Sequence, residues 1–401
     1  MASFLYKAKD EEGHTLFGLI QAQDLKDVKK QMRGSENYFI SAQPYDVRNL
    51  TGKHLKLDEL LMFTNRLSYM IEAGLPILKA LTILWKQSDN KDTQIVISYI
   101  RTKLENGLNL QEAFGFFPKV FPPMYLAMIS VAELGGGLPK ILRKLSQYLQ
   151  DQKAFITRMK RATTYPAFVL GFAVLVILGM FMFVVPIFQK VISQLHGDLP
   201  VITKILFGIS AFLRNIYCMA GVLLAGVAVF FIWRSLYKIK NFRIRIDSWK
   251  LKAPLLKEVF YPLYVGRFIR SLGILLSSGV PLLESIKVAK TTLVNARIET
   301  AVTEIEKQAS EGSNLYDAFK STKTFSYLLV DMIGIGEKSG KLTQILENMA
   351  TYLEEEADYK LAKFLTLLEP ALIIFVGGAV LFVMLGIYLP VFSIQSSLRS
   401  M

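Results

Sequence analysis

An internal duplication is the feature that most restricts how this chain can fold. A shift of 205 residues aligns Gly74-Leu75-Pro76 with Gly279-Val280-Pro281, and a shift of 204 aligns Pro186 with Pro390. The register holds over more than 110 positions with one slip of a single residue, which chance does not produce. Repeats of this kind indicate two structural units of one design that follow each other in the chain.

Three stretches without Asp, Glu, Lys, Arg or His interrupt the polar sequence, at residues 167–188, 216–233 and 371–392. Each would cover roughly 27–33 Å as a helix, which is about the thickness of a bilayer's hydrocarbon core. The second stretch extends back to residue 206 if Arg214 lies at the membrane interface. The sequence therefore predicts transmembrane helices TM1 (167–188), TM2 (206–233) and TM3 (371–392).

The basic residues predict how these helices are oriented. All but four of the 47 Lys and Arg residues lie in residues 1–166 or 234–370. The positive-inside rule then places the N-terminus and both repeats in the cytoplasm, and the loop 189–205 and the C-terminus on the outer side. The net charge of +14 thus follows membrane orientation and does not indicate a nucleic-acid interface.

Hydrophobic periodicity divides the cytoplasmic part. Residues 1–45 alternate as strands around one short helix, which predicts a small α+β domain. Residues 57–165 and 261–369 have helical periodicity and short connections, so each is predicted to form a bundle of about six helices. The predicted fold class is an all-α membrane protein with two repeated six-helix bundles, three transmembrane helices and the small N-terminal domain.

Each repeat also carries glycine and proline at equivalent places. Gly74 and Gly279 are predicted to end a helix, and Pro76 and Pro281 to open the next one. Pro166 and Pro370 lie where each last bundle helix would enter the membrane. Proline breaks or kinks a helix, so a fixed bend is predicted at both membrane entries.

A third repeated motif pairs Glu133 and Gly136 with Glu337 and Gly340. In one interpretation each glutamate accepts hydrogen bonds from the first-turn amides of the following helix. In the other it contacts a partner protein or weakly binds a divalent cation on the cytoplasmic face. A structural turn and a contact site would repeat equally well, so the spacing favours neither interpretation.

No pattern of catalytic or cofactor-binding residues is present in the sequence. The stretch 334–341 resembles a phosphate-binding loop, but it lacks the required glycine spacing, and Leu342 stands where Ser or Thr should follow the lysine. The three histidines are scattered, and Cys218 is the only cysteine. We therefore expect neither an enzyme nor a cofactor, and no metal site is predicted apart from the cation-binding alternative for the paired glutamates.

The motifs together resemble the type II secretion system F family, the GspF- and PilC-type inner-membrane platform proteins of type IV pilus and type II secretion machines. The resemblance rests on the two Gly-x-Pro helix breaks, the Gly336-Glu337-Lys338-Ser339-Gly340 turn, the prolines at the membrane entries and the Pro-x-Phe ends of TM1 and TM3. Repeat 1 departs at the second motif, where Ala132 replaces the first glycine.

The resemblance implies a non-enzymatic scaffold in the bacterial inner membrane. It implies that the chain forms homo-oligomers and contacts a hexameric assembly or retraction ATPase, a pilin or pseudopilin, and other inner-membrane assembly proteins. An alternative is a channel or carrier that uses the repeat as a symmetric gate. Against this alternative, the predicted spans are few and lack the ionisable residues that transport pathways usually need.

Overall fold

The computed structural model describes residues 2–33, 37–46, 52–135, 137–193, 200–237 and 239–399. The chain forms two compact units. The first unit comprises residues 1–157 and 263–354, and the second comprises residues 158–262 and 355–401. Both sequence repeats thus contribute their bundle helices to one unit.

The N-terminal residues form the predicted small sheet. Three strands, β1 (Ala2–Lys9), β2 (Thr15–Ala22) and β3 (Tyr38–Pro44), pair antiparallel in the order β2-β1-β3. Helix α1 (Leu25–Met32) follows β2 and begins at Asp24, whose side chain accepts a hydrogen bond from the amide of Asp27. The predicted strands and short helix are confirmed.

Twelve of the described helices follow the order of the two repeats. Those of repeat 1 are α2 (Leu57–Glu72), α3 (Ile77–Lys86), α4 (Lys91–Glu105), α5 (Leu110–Gly115), α6 (Pro123–Gly135) and α7 (Leu138–Gly179). Between the repeats lie α8 (Val185–Ser193), α9 (Val201–Arg214), α10 (Ile216–Leu236) and α11 (Lys240–Lys252). Repeat 2 contains α12 (Pro254–Ser277), α13 (Leu282–Lys290), α14 (Ala296–Ser310), α15 (Leu315–Ser321), α16 (Tyr327–Ser339) and α17 (Leu342–Arg399).

The sheet is part of the first unit and packs on repeat 1. The indole nitrogen of Trp85 donates to the carbonyl of Phe17 at 2.7 Å, and the amide of Leu19 donates to the hydroxyl of Ser98 at 3.2 Å. Strand β2 lies at the edge of the sheet, where unpaired backbone groups would invite pairing with another chain. Contacts from α3 and α4 cover that edge.

Aromatic side chains form equivalent cores in the two repeats. In repeat 1, the rings of Phe114 and Phe121 stack with centroids 4.4 Å apart, and Phe63 lies edge-on to both. Their equivalents in repeat 2 are Phe268, Phe319 and Phe325, and the ring of Phe319 contacts the other two. Burial of these large rings supplies much of the hydrophobic stabilisation of each bundle.

The second unit contains the apolar helices. A π-helical turn (Met180–Val184) connects α7 with α8. The carbonyl of Phe181 in this turn accepts a hydrogen bond from the hydroxyl of Ser210 at 2.7 Å, and the carbonyl of Gly386 accepts one from Thr203 at 2.8 Å. These bonds tie α9 to the TM1 and TM3 segments. A buried apolar cluster surrounds them, formed by Phe181, Val185, Ile192, Leu206, Phe207, Val383 and Ile387.

Helix continuity differs from the sequence prediction at both membrane entries. Pro166 lies inside α7 and Pro370 inside α17, so neither helix ends where a membrane span was predicted to begin. A proline inside a helix costs about 3 kcal/mol. Ending a helix in a bilayer would leave several backbone groups unpaired at several kcal/mol each, so continuity is favoured.

The predicted TM2 segment is divided in two. Residues 206–214 belong to α9, and α10 begins after Asn215, whose side chain accepts a hydrogen bond from the amide of Tyr217. An Asn side chain accepts hydrogen bonds from backbone amides and so favours the start of a new helix over continuation of the old one. The single helix predicted over 206–233 is therefore wrong. None of the described residues of α10 is buried within the chain.

Among the described residues, four helical stretches are long and apolar enough to cross a membrane, against three predicted spans. Three of them overlap the predicted segments TM1, TM2 and TM3. The fourth, Leu256–Ser277, is the least apolar, and 56% of its window is buried inside the protein, against 17% or less for the others. Its side chains include Arg267 and Arg270, and burial by neighbouring helices accounts for its apolar character.

Candidate functional site

The Gly-x-Pro breaks have one geometry in both repeats. Gly74 has a φ of +83° and Gly279 a φ of +90°, a region that residues with a Cβ atom rarely adopt. The amide of Gly74 donates to the carbonyl of Ile71, and that of Leu75 donates to the carbonyl of Met70, both at 3.0 Å. This is the Schellman arrangement, which satisfies carbonyls that the helix end would leave unpaired.

Proline then starts the next helix. Pro76 and Pro281 are the N-cap residues of α3 and α13, with ψ angles of 141° and 147°. The pair reverses the chain within three residues and brings α2 against α3. The motif predicted as a helix break therefore has a structural role in each bundle.

The paired glutamates bind the amino end of a short helix. The carboxylate of Glu337 accepts hydrogen bonds from the amides of Leu315 at 2.7 Å and Tyr316 at 3.1 Å, at the start of α15. In repeat 1, Glu133 accepts from the amides of Leu110 and Gln111 at the start of α5. A negative charge at a helix N-terminus is favourable because the first amides there have no partner inside the helix.

An asparagine completes each of these helix ends. Asn109 accepts a hydrogen bond from the amide of Glu112, and Asn314 accepts one from the amide of Asp317. Glutamate and asparagine together satisfy the first three amides of α5 and of α15. The sequence interpretation assigned these hydrogen bonds to the helix that follows each glutamate. This assignment is wrong, because the donating amides lie 21–23 residues before the glutamate.

Of the two glycines in this motif, Gly340 is among the residues that the structure describes. Gly340 has a φ of +69° and forms the left-handed cap of α16. Gly136 lies outside the described residues. Whether Glu133 or Glu337 also contacts a partner stays a prediction.

The stretch 334–341 is part of a packed helix end and not a phosphate loop. Residues 334–339 belong to α16. A Cβ atom on Gly334 would lie 2.6 Å from the ring of Tyr316, and one on Gly336 would lie 3.0 Å from the Cα of Leu342. These glycines permit close approach of α15 and α17, which is a packing role.

Contacts between the two repeats were not predicted from the sequence. The Nζ of Lys144 on α7 donates to the carbonyl of Ser277 at 2.5 Å and to its hydroxyl at 2.9 Å. Burial lowers the pKa of Lys144 and raises the pKa of Tyr148, which is also hydrogen-bonded to Ser271. The face of α7 that carries these residues contacts α12, so repeat 1 and repeat 2 share an interface inside the first unit.

An apolar groove lies between α7 and α17 in the second unit. Its volume is about 690 Å³. The prolines predicted at the membrane entries are near it, and Pro166 lines it together with Phe172, Ala173, Val176, Glu369 and Ile373. Glu369 is the one ionisable carboxyl group in this lining, and it lies next to Pro370 at the predicted start of TM3.

A group of potential metal ligands was also not singled out from the sequence. Asp10, Glu12 and His14 lie close together in the turn between β1 and β2. The Oδ1 atom of Asp10 accepts a hydrogen bond from the amide of His14 at 2.7 Å. Glu12 and His14 are exposed and Asp10 is partly buried, and the three side chains bond among themselves, which a charged turn does without a metal.

Comparison with known proteins shows the family. The chain matches the family model described as Type II secretion system (T2SS), protein F, over residues 63–186 and 268–390. The two matched segments begin 205 residues apart and end 204 apart, so each corresponds to one repeat.

Relatives match the chain over almost its whole length. It is 30% identical to the type IV pilus assembly protein PilC of Myxococcus xanthus, with 99% of this chain and 96% of the relative covered. It is also 30% identical to PilC of Thermus thermophilus, with 99% of both chains covered. It is 29% identical to the type II secretion system protein F of Pseudomonas aeruginosa, with 98% of this chain and 99% of the relative covered. The duplicated family match and these full-length relatives together place the chain in the type II secretion system protein F family.

Proposed function

We propose that this chain is a non-enzymatic inner-membrane platform for the assembly of a type IV pilus or a type II secretion pseudopilus. The observation that supports this role best is the continuity of α7 and α17. Each helix begins in a bundle of the first unit and continues without interruption into an apolar segment of the second. A continuous helix transmits a displacement along its axis, because its backbone hydrogen bonds resist stretching.

The proposed partners rest on the resemblance to the family and on the arrangement of charge. The relatives are type IV pilus assembly and type II secretion proteins. A cytoplasmic hexameric ATPase would bind the first unit, which carries most of the charged residues, and other inner-membrane assembly proteins would bind around the spans. The basic flanks of the spans support a cytoplasmic location for both repeats.

The groove in the second unit is proposed to receive the apolar helix of a pilin or pseudopilin. Its lining is largely apolar, and its volume of about 690 Å³ accommodates several side chains of a partner helix. In a bilayer, helices associate through close packing rather than through the hydrophobic effect, so a preformed groove favours a helix over lipid.

Deletion of the gene tests the proposed role directly. We expect loss of surface pili or of secretion, with restoration by the wild-type gene, and normal assembly in the deletion strain would contradict the proposal. Reconstitution into liposomes tests the alternative. Flux of a solute through vesicles that contain only this chain would favour a channel or carrier.

Photo-crosslinking tests the groove. A photoreactive residue at Phe172, which lines the groove, should crosslink to pilin in membranes. The matched control is Leu175, which is exposed on the same helix outside the groove and should crosslink to lipid only. Equal pilin capture at both positions would contradict a role for the groove and leave the platform role standing.

A further inference from the structure

The interface between the two repeats uses different surfaces on its two sides. Repeat 1 contributes α6 and α7, with Val131, Lys144 and Tyr148. Repeat 2 contributes α12 and the turn that follows it. Val131 lies 3.5 Å from the position of a Cβ atom on Gly279, and Lys144 bonds to Ser277. An interface with unlike sides is heterologous, and it leaves one free copy of each side at the ends of a tandem array.

The duplication identifies these two free surfaces. A shift of 204 residues converts Val131, Lys144 and Tyr148 into Ile335, Asn348 and Tyr352 on α16 and α17. All three are exposed. We call Ile335, Asn348 and Tyr352 the α16–α17 face.

The complementary surface lies on repeat 1. A shift of 205 residues converts the α12 side into Met62, Arg66 and Tyr69 on α2. These residues are exposed, whereas Ser271, the equivalent of Arg66, is fully buried. We call Met62, Arg66 and Tyr69 the α2 face. Exposed large apolar side chains at these positions are unusual for a surface that only meets water.

We propose that the α16–α17 face of one chain binds the α2 face of a second copy of this chain, in the way that repeat 1 binds repeat 2 within the chain. Tyr352 of one copy would then lie against Arg66 of the other, as Tyr148 lies against Ser271. The occupant is another copy because the chain already contains one example of the contact.

The membrane decides how this contact continues. A heterologous interface produces either a closed ring or an open filament. Both repeats feed membrane helices, so under the proposed topology successive copies must be related by rotation about the membrane normal. Such a rotation closes into a ring, with the repeats alternating around it. Ring closure depends on the proposed topology, whereas the pairing of the two faces does not.

Disulfide crosslinking in membranes tests the pairing. In a Cys218→Ser background, one chain carries Tyr352→Cys and a co-expressed chain carries Arg66→Cys. We expect an intermolecular disulfide in this mixture and none when either variant is expressed alone. The control replaces Arg66→Cys with Tyr38→Cys, because Tyr38 is also exposed and lies in the sheet, outside the α2 face. Absence of the mixed disulfide, or equal crosslinking of each variant with itself, would overturn the proposal.

Charge substitution provides a second measurement on the full chain. Tyr69→Glu and Ile335→Glu each introduce a carboxylate into an apolar face that is exposed in the single chain, so folding should be retained. We expect either variant to abolish the oligomer in detergent, as measured by light scattering, and Tyr38→Glu to leave it intact. An unchanged oligomer in both face variants would also overturn the proposal. Pilus assembly is not the readout, so this outcome is independent of the platform role.

Discussion

Arg270 on α12 and Glu354 on α17 form a two-pronged ion pair in the first unit. The Nε atom of Arg270 is 2.9 Å from Oε1 of Glu354, and its Nη2 atom is 2.6 Å from Oε2. Hydrogen bonding to Glu354 raises the pKa of Arg270. The equivalent positions in repeat 1 are Asn65 and Gln150, so this clamp belongs to repeat 2 alone.

Breaking this ion pair should weaken the first unit. Glu354→Gln keeps the shape of the side chain and removes its charge, and we expect the free energy of unfolding to fall by about 1–2 kcal/mol. The ion pair is partly exposed, so the expected loss of unfolding free energy is at the lower end of the range for hydrogen bonds between charged groups. Thermal unfolding of the purified full chain measures the change. The matched control is Gln150→Ala on the equivalent exposed position, with an expected change within about 0.5 kcal/mol.

The glutamates that bind α5 and α15 should be required for stability. Glu337→Ala leaves two amides of α15 without an acceptor, and we expect a loss of about 2–3 kcal/mol. Glu337→Gln retains one acceptor oxygen and should lose less. Glu311→Ala is the control, because Glu311 lies on the surface 4.0 Å from Lys307. A Glu337→Ala protein with unchanged thermal stability but impaired pilus assembly would favour the partner-contact interpretation instead.

Tyr125 should make stability sensitive to alkaline pH. Its side chain is fully buried, and burial raises the pKa of Tyr125 well above the ordinary value for tyrosine. Since the folded-state pKa is raised, the stabilisation is complete below about pH 10, the unfolded value, and declines as pH rises above it. Denaturant unfolding between about pH 8 and 11 measures the slope.

Tyr125→Phe isolates this contribution. The phenylalanine removes the ionisable hydroxyl, and Thr64 retains its hydrogen bond to the carbonyl of Leu60 at 2.8 Å. The variant should therefore lose about 1 kcal/mol at neutral pH and show a smaller decline at alkaline pH than wild type. Parallel pH profiles for the two proteins would contradict the assignment. Tyr38→Phe, at an exposed position, should leave the profile unchanged.

Pro370→Ala tests the continuity of α17. Alanine restores a backbone donor at a position that is already helical, so we expect the melting temperature of the full chain to stay equal or rise. Pro166→Ala should behave alike in α7. A fall of several degrees in either variant would show that the proline is required by the fold, as a fixed break at the membrane entry would demand.

Local patterns in the sequence predicted several features of the molecule. Positions 74 and 279 require glycine because their φ is positive, and the proline two residues later cannot continue the helix. The Gly-x-Pro pattern therefore predicted the helix break from the sequence. The apolar stretches around TM1 and TM3 were predicted from their length and lack of charge. Each of these features depends on residues that are neighbours in the chain.

The functional interpretation of the sequence was weaker where contacts are distant. Glu133 and Glu337 were predicted to bind a helix end, but the helix could not be identified, because it lies 21–23 residues away in the opposite direction. The cap at Asn215 was missed since the surrounding residues are apolar enough for one long span. Pro166 and Pro370 were predicted to bend or break a helix, but α7 and α17 continue through them. The free-energy cost of ending a helix depends on whether its surroundings can satisfy the backbone groups, and a local pattern does not contain that information.

The amino-acid sequence by itself determined the duplication, the positions of TM1 and TM3, the Gly-x-Pro turns and the family, because repeats, hydropathy and backbone preferences are one-dimensional patterns. Tertiary packing decided which surfaces of the two repeats meet. Lys144 and Ser277 are separated by 133 residues, and no local pattern pairs them. Two repeats that share one pattern of helices and turns thus present unlike surfaces to each other, since an interface is selected by the summed shape and charge of helices that only folding brings together.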